Sequence, residues 1–216
     1  MTPEIISLFT ASFITFFVLI DVIGVAPIFA TLTADGSPKW RRTMAIRSVF
    51  VAGLIIFAFA FGGAWVLDHM GISLDAFRAA GGVLLFLIAL DMVFEKRTER
   101  RTSRAEDVLA DSDATQEEPD DISVFPVGIP MLAGPGTIAM AMLLMSNHQS
   151  VMERGAVLAA LLANFAVAAI VLLGVGPIIK ILGDSIAAGL TRIFGVILAA
   201  LSVQLLIDGI KGAFGL

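Results

Sequence analysis

The sequence predicts an all-α, polytopic membrane protein of six transmembrane helices, built as two inverted three-helix repeats with broken helices one and four. Three observations carry that prediction. The 216 residues are 58% hydrophobic and 15% charged, with a mean hydropathy of +0.95, whereas a soluble domain devotes about a quarter of its residues to charge. Six apolar runs each reach the ~20 residues that an α-helix needs to cross a ~30 Å hydrocarbon core. The two halves also carry matching Gly and Pro landmarks at corresponding places in their spans.

Ile5 to Phe29 is the first span, interrupted in Asp21-Val22-Ile23-Gly24-Val25-Ala26-Pro27. No Lys or Arg precedes it, so it lacks the basic leader of a cleaved signal peptide and is read as a retained span. Ala34 to Pro38 is turn chemistry, followed by Lys39, Arg41 and Arg42. Met44 to Leu67 is the second span, with Trp65 expected to anchor one interface and Trp40 the other. Asp68 to Gly71 turns the chain into the third span, Asp75 to Phe94.

Glu95 to Asp121 holds ten acidic and five basic residues, so the chain's whole net charge of −5 is local to this stretch. It reads as a solvent-exposed connector, with an ordered amphipathic helix over Glu95–Leu109 as the alternative. Ser123 to Ser146 is the fourth span. Val151 to Ile181 covers the fifth and its exit through Gly174, Gly176-Pro177 and Gly183, and Ile186 to Ile210 is the sixth. One membrane domain, 1–216, thus divides into a first repeat (1–94), an acidic loop (95–122) and a second, inverted repeat (123–216).

The repeat rests on three matches in register. Arg78-Ala79-Ala80-Gly81-Gly82-Val83-Leu84 resembles Arg192-Ile193-Phe194-Gly195-Val196-Ile197-Leu198; Gly71-Ile72-Ser73 parallels Gly183-Asp184-Ser185; and Pro27 falls near Pro135. Three spans per copy is odd, so the second copy must be inverted in the membrane, a common transporter construction. Lys and Arg crowd the connectors after spans one, three and five. The positive-inside rule makes those connectors cytoplasmic in a cell inner membrane and puts both termini outside.

Candidate chemistry lies in the two breaks. Gly128-Ile129-Pro130-Met131-Leu132-Ala133-Gly134-Pro135-Gly136-Thr137-Ile138 is apolar, yet Pro130 and Pro135 remove helix donors and clash with the preceding turn. Irregular backbone at membrane depth survives only where protein or a water-filled cavity satisfies it. Asp21, about 16 apolar residues into the first span, costs roughly 2.5–3.5 kcal/mol there on insertion scales. It is read as a group for a substrate ammonium or a coupling cation, with helix capping as the alternative. Gly24, Pro27, Pro130, Gly134, Pro135, Gly136 and Thr137 complete the expected substrate site: half-helix N-termini suit a carboxylate, and freed carbonyls suit a cation. Asn164, midway in the fifth span, is either a site residue or interhelical glue.

The absence of Cys excludes disulfides and thiolate metal sites. His69 and His148 stand apart near span ends and read as interfacial residues. No phosphate-cradling loop, nucleophile–base pair or clustered metal ligands is present in the sequence, so neither an enzyme, a cofactor, a catalytic residue nor a bound metal is expected. The charge is not basic overall, and no nucleic-acid partner is expected.

Asp21-x-x-Gly24-x-x-Pro27-x-Phe29 and the segment Phe125–Ile138, with Gly71-Ile72-Ser73 and Phe77-Arg78-Ala79-Ala80-Gly81-Gly82, resemble the MarC family of six-span inner-membrane proteins. The resemblance covers the chain apart from its acidic loop. Family members commonly place Pro directly after the Asp, where this chain has Val22, so the first break rests on Gly24 and Pro27. Some members are regarded as transporters of small neutral amino acids such as glycine and alanine. The resemblance therefore implies a secondary transporter of a small zwitterionic solute, working by alternating access and driven by a proton or sodium ion, or by the solute gradient alone. A homo-oligomer within the lipid bilayer is compatible with it. Export of drugs or toxic ions, and a non-transporting membrane scaffold, are the alternatives.

Overall fold

The computed structural model describes residues 2–94, 100, 102, 103, 105–107 and 121–215, with the main chain alone over 179–185. All of its regular elements are helical: α1 (Pro3–Ile20), α2 (Val22–Leu32), α3 (Pro38–His69), α4 (Leu74–Val93), an irregularly wound segment Ser123–Leu132, α5 (Pro135–Asn147), α6 (Val151–Leu173) and α7 (Val175–Phe214). Five spans are long and apolar enough to cross a membrane, α1 and α2 together making one of them. A sixth follows if Ser123–Leu132 and α5, bent by 59° against one another, form one broken span.

Local chemistry sets most boundaries. Ser37 caps α3 through its Oγ to the Trp40 N–H, with Pro38 opening the first turn, so the helix begins six residues before the expected Met44. Ser73 does the same for α4, and Ser150 with Glu153 forms a reciprocal capping box on α6. Trp65 is exposed as an anchor should be, and the neighbouring His69 rests against its ring. Trp40 differs from expectation. It is buried against the α2–α3 turn, where a Cβ on Gly36 would sit 2.2 Å from its ring.

Two expected breaks are relocated. In the first span the interruption is Asp21 itself, in the left-handed conformation (φ 51°, ψ 50°), and α2 starts at Val22 rather than near Gly24. Pro27 is helical, six residues into α2. At the end of the fifth span the predicted Gly174–Gly183 exit narrows to Gly174 alone. Helix resumes at Val175, because the Ile178 N–H bonds back to the Gly174 carbonyl at 3.1 Å and Pro177 lies in the first turn, where it displaces no helical donor.

The broken spans occupy the middle of the bundle. In the most apolar stretch of α1–α2, 61% of residues are buried, against 22% in α7. Large apolar side chains on α3, α4 and α7, such as Phe50, Phe61, Phe86, Leu87, Ile193 and Val196, point outward where lipid tails would lie. α4 and α7 run antiparallel and very close: an added Cβ at Gly82, Gly195 or Gly209 would come within 3.0 Å of the other helix. Within Glu95–Asp121 the described residues Arg100, Thr102, Ser103 and 105–107 are helical and Ala105 is buried, as the amphipathic alternative expects. Apart from Asp121, the rest of that loop lies outside the described residues.

Candidate functional site

Asp21 is 1% exposed, at the point where α1 hands over to α2. Its N–H closes α1 on the Phe17 carbonyl, and its own carbonyl accepts from Val25. The side chain folds back over the start of α2, where Oδ1 accepts from the Gly24 N–H at 3.3 Å. The carboxylate thus sits at the positive end of the α2 dipole, which offsets part of the cost of burying it. Thr191 of α7, 170 residues on, donates its hydroxyl to the same oxygen at 3.3 Å. Gly24 makes this possible: a Cβ there would lie 2.6 Å from Asp21 Oδ2.

Beside this acid lies a cavity of about 310 Å³ bounded by Gly24, Pro27, Ile28 and Thr31 of α2, Ala187, Ala188 and Thr191 of α7, and Thr102, Ala105 and Glu106 of the connector. Pro27 supplies no N–H, so it withdraws the donor that the Ile23 carbonyl would otherwise meet in a regular helix. Asp21 does not itself line the cavity, but Gly24 and Thr191, which both donate to its carboxylate, do.

The second break is longer. From Ile122 the chain makes two wide turns closed by five-residue hydrogen bonds, Val127 N–H to Ile122 O (3.3 Å) and Ala133 N–H to Gly128 O (2.9 Å). Each turn holds one extended residue, Phe125 in the first and Ile129 in the second, each preceding a Pro in a cis peptide. The fit against α3 is tight, because a Cβ on Gly128 would lie 2.5 Å from the Ser123 carbonyl and 3.2 Å from Val51. Gly134 then caps α5 with no side chain to offer, and Pro135 has no N–H. The N–H groups of Gly136 and Thr137 therefore open the helix without an intrahelical acceptor. They face a cavity of about 240 Å³ lined by Leu19, Ile88, Asp91, Arg100, Pro130, Met131 and Gly134 to Thr137.

The expected site residues divide accordingly. Pro130, Gly134, Pro135, Gly136 and Thr137 share the second cavity, Gly24 and Pro27 line the first, and the two have no lining residue in common. Asn164 borders neither; its Nδ2 donates to the Phe13 carbonyl of α1 (3.1 Å) and to Ala160 (2.9 Å), tying α6 to α1. Sequence reasoning passed over Asp91, Arg100 and Thr191. Asp91 pairs with Arg100 at the second cavity, and its side chain is 22% exposed. The available signal was an acid still inside the third apolar run. Arg78 bridges Asp75 (2.7 Å) and Asn147 (2.6 Å), fastening the start of α4 to the end of α5. Among the described residues no group of three His, Cys, Asp or Glu side chains could hold a metal.

Comparison with known proteins places this geometry in a family. Residues 6–214 match the model of the MarC family integral membrane proteins. The "UPF0056 membrane protein MJ1677" of Methanocaldococcus jannaschii is 37% identical over 95% of this chain and 97% of its own length. A UPF0056 membrane protein of Buchnera aphidicola is 32% identical over 91% and 92%. The "UPF0056 inner membrane protein YhgN" of Escherichia coli K12 is 30% identical over 89% and 91%. No solved structure matches. The chain belongs to the MarC family of integral membrane proteins.

Proposed function

We propose that this protein is a secondary transporter of a small zwitterionic solute of the glycine or alanine type, with its solute site in the cavity at the start of α5. One observation carries the reading: that cavity gathers groups for both ends of an amino acid. The unbonded N–H groups of Gly136 and Thr137, with the Arg100 guanidinium beside them, suit a carboxylate, and Asp91 suits an ammonium. Its volume of about 240 Å³ lies below the ~300–1,000 Å³ of drug-sized sites, which favours a small solute over a drug.

In this reading the first cavity serves the coupling ion. Thr31, Thr191 and Glu106 supply oxygen groups around it, and Asp21 stands one hydrogen bond behind. A proton on Asp21 or a sodium ion among these oxygens would be the driving cation. The antiparallel glycine contact of α4 with α7, the third and last spans, supports an inverted pair of three-span repeats. Arg100 borders the second cavity and Thr102, Ala105 and Glu106 border the first; with that connector cytoplasmic by the positive-inside rule, both cavities face the cytoplasm and both termini lie outside.

The test is counterflow of labelled glycine and alanine into proteoliposomes by wild type, Asp91→Asn and Asp21→Asn. Flux in wild type, with weaker solute affinity in Asp91→Asn and altered ion dependence in Asp21→Asn, is the expected outcome. The absence of amino-acid flux in wild type would overturn the substrate class, and equal behaviour of all three would overturn the site.

A further inference from the structure

A third cavity, of about 330 Å³, lies apart from both breaks, between the beginning of α3 and the end of α6. Pro38, Arg41, Arg42, Leu172 and Leu173 line it, so it has two guanidinium groups, no carboxylate and an apolar wall. Arg41 is held in place rather than free to swing. Its Nη2 donates to the Thr33 carbonyl at 2.9 Å, and the residue lines the cavity. Its Nε is buried and meets no hydrogen-bond acceptor. Neither Arg41 nor Arg42 forms an ion pair among the described residues. No carboxylate lines the cavity beside the two guanidinium groups, which suits them to an anionic oxygen.

The neighbourhood narrows the anion. Leu172 is fully buried and Leu173 is 44% exposed, the last residues of the apolar α6, while Arg41 and Arg42 stand near the start of α3. Charge and hydrocarbon therefore meet at one membrane face, as the phosphate and the acyl chains of a phospholipid do. Planar guanidinium forks match phosphate oxygens in paired hydrogen bonds better than a lysine ammonium does. We propose that this pocket is a phosphate-ester site occupied by the headgroup of an anionic phospholipid, with Arg41 and Arg42 on the phosphate and Leu173 along the acyl chain. The site is separate from the solute and ion cavities and does not depend on what they carry.

The full chain in detergent micelles is titrated with phosphatidylglycerol, with phosphatidylcholine of the same chain length, and with soluble glycerol phosphate, and retained ligand is counted by native mass spectrometry. One phosphatidylglycerol is expected to stay bound under conditions that strip phosphatidylcholine, and Arg41→Gln/Arg42→Gln should weaken it about thirtyfold. Arg42→Gln alone leaves the Arg41–Thr33 bond intact and should lose part of that affinity with no change in melting temperature. Arg192→Gln, an exposed cation elsewhere, should retain it. Glycerol phosphate binding as tightly as the lipid would assign the site to a free phosphate ester and overturn the lipid assignment. Equal retention of both lipids, or no loss in the double variant, would overturn the phosphate site itself.

Discussion

At Asp21 the helical path is interrupted by one residue, and α1 and α2 still make a single 30-residue span. Between Phe125 and Gly134 the interruption runs through two wide turns, and the irregular segment Ser123–Leu132 is bent by 59° against α5. The short break carries its own charge, and that charge is consumed locally by the Gly24 N–H and the Thr191 hydroxyl. The long break contains no ionisable side chain. It exposes backbone donors at Gly136 and Thr137, and the charges beside it, Asp91 and Arg100, come from α4 and the connector. A single left-handed residue can be capped by its own side chain, so it closes on itself; a ten-residue interruption cannot, so it must be completed by neighbouring elements or by a ligand.

The sharpest test of that difference is Gly24→Leu. Its Cβ would fall 2.6 Å from Asp21 Oδ2, so the carboxylate must leave the α2 N-terminus. Overpacking should cost about 1–3 kcal/mol, and displacement of the acid by about an ångström should reduce transport about a hundredfold in a proteoliposome flux assay. Wild-type flux in Gly24→Leu would break the link between the short break and coupling.

Asp21→Ala against Asp21→Asn separates capping from charge. The amide keeps an acceptor for Gly24 and Thr191, whereas Ala removes the cap and should lower stability by about 0.5–2 kcal/mol in a thermal melt. Loss of ion dependence in both variants, with a lowered melting temperature in Ala alone, is expected.

Gly136→Ala tests the long break more gently. Its Cβ would meet Ile88 Cδ1 at 2.8 Å and Leu85 Cδ2 at 2.9 Å, the ends of flexible side chains that can shift. Weaker solute binding with little change in melting temperature is expected, since the methyl group and the displaced side chains narrow the cavity. Asn164→Leu is the control outside both breaks: it should cost about 0.6 kcal/mol, and at most ~1.7, while leaving solute affinity unchanged.

The smallest effect belongs to the entrance of the fourth span. Burial raises the Asp121 pKa, but hydrogen bonds from the Ser123 hydroxyl and N–H, together with the Arg47 guanidinium at 2.6 Å, outweigh it and hold the carboxyl below its ordinary value. A depressed carboxylate pKa contributes stability that is complete above the unfolded value of ~3.9 and is lost as pH falls through the folded one. Arg47→Gln should therefore reduce the melting temperature slightly at neutral pH, and the difference from wild type should shrink below about pH 4.

Much of the architecture was legible from local chemistry. The apolar runs gave the long helices, and the Gly-Pro-Gly at 134–136 announced a break with a half-helix opening beyond it. The hydroxyl caps at Ser37, Ser73 and Ser150 played no part in that reading, and Ser37 starts α3 ahead of the expected Met44. Pro27 and Pro135 show where that reasoning stopped. Both are prolines in broken spans, yet Pro135 opens α5 while Pro27 lies inside α2. Composition does not distinguish the two, because a proline six residues inside a helix is held by the packing around it. For the same reason Asp21, not Gly24 or Pro27, became the first break. A non-glycine residue adopts positive φ only when its surroundings over-determine it, and here Gly24 and Thr191 do so from two sides.

What the sequence by itself determined is a helical membrane chain with two interruptions, since both follow from hydropathy and from residues that cannot donate or cannot be buried alone. Only the tertiary structure decided that the interruptions open into separate cavities, that Thr191 meets Asp21, and that Asp91 and Arg100 stand beside Gly136. Those pairings join residues far apart in the chain, or on different elements, and no local propensity encodes them. They arise where the close glycine packing of α4 on α7 brings the two halves together, because backbone contact at that distance leaves little freedom for how the neighbouring helices meet.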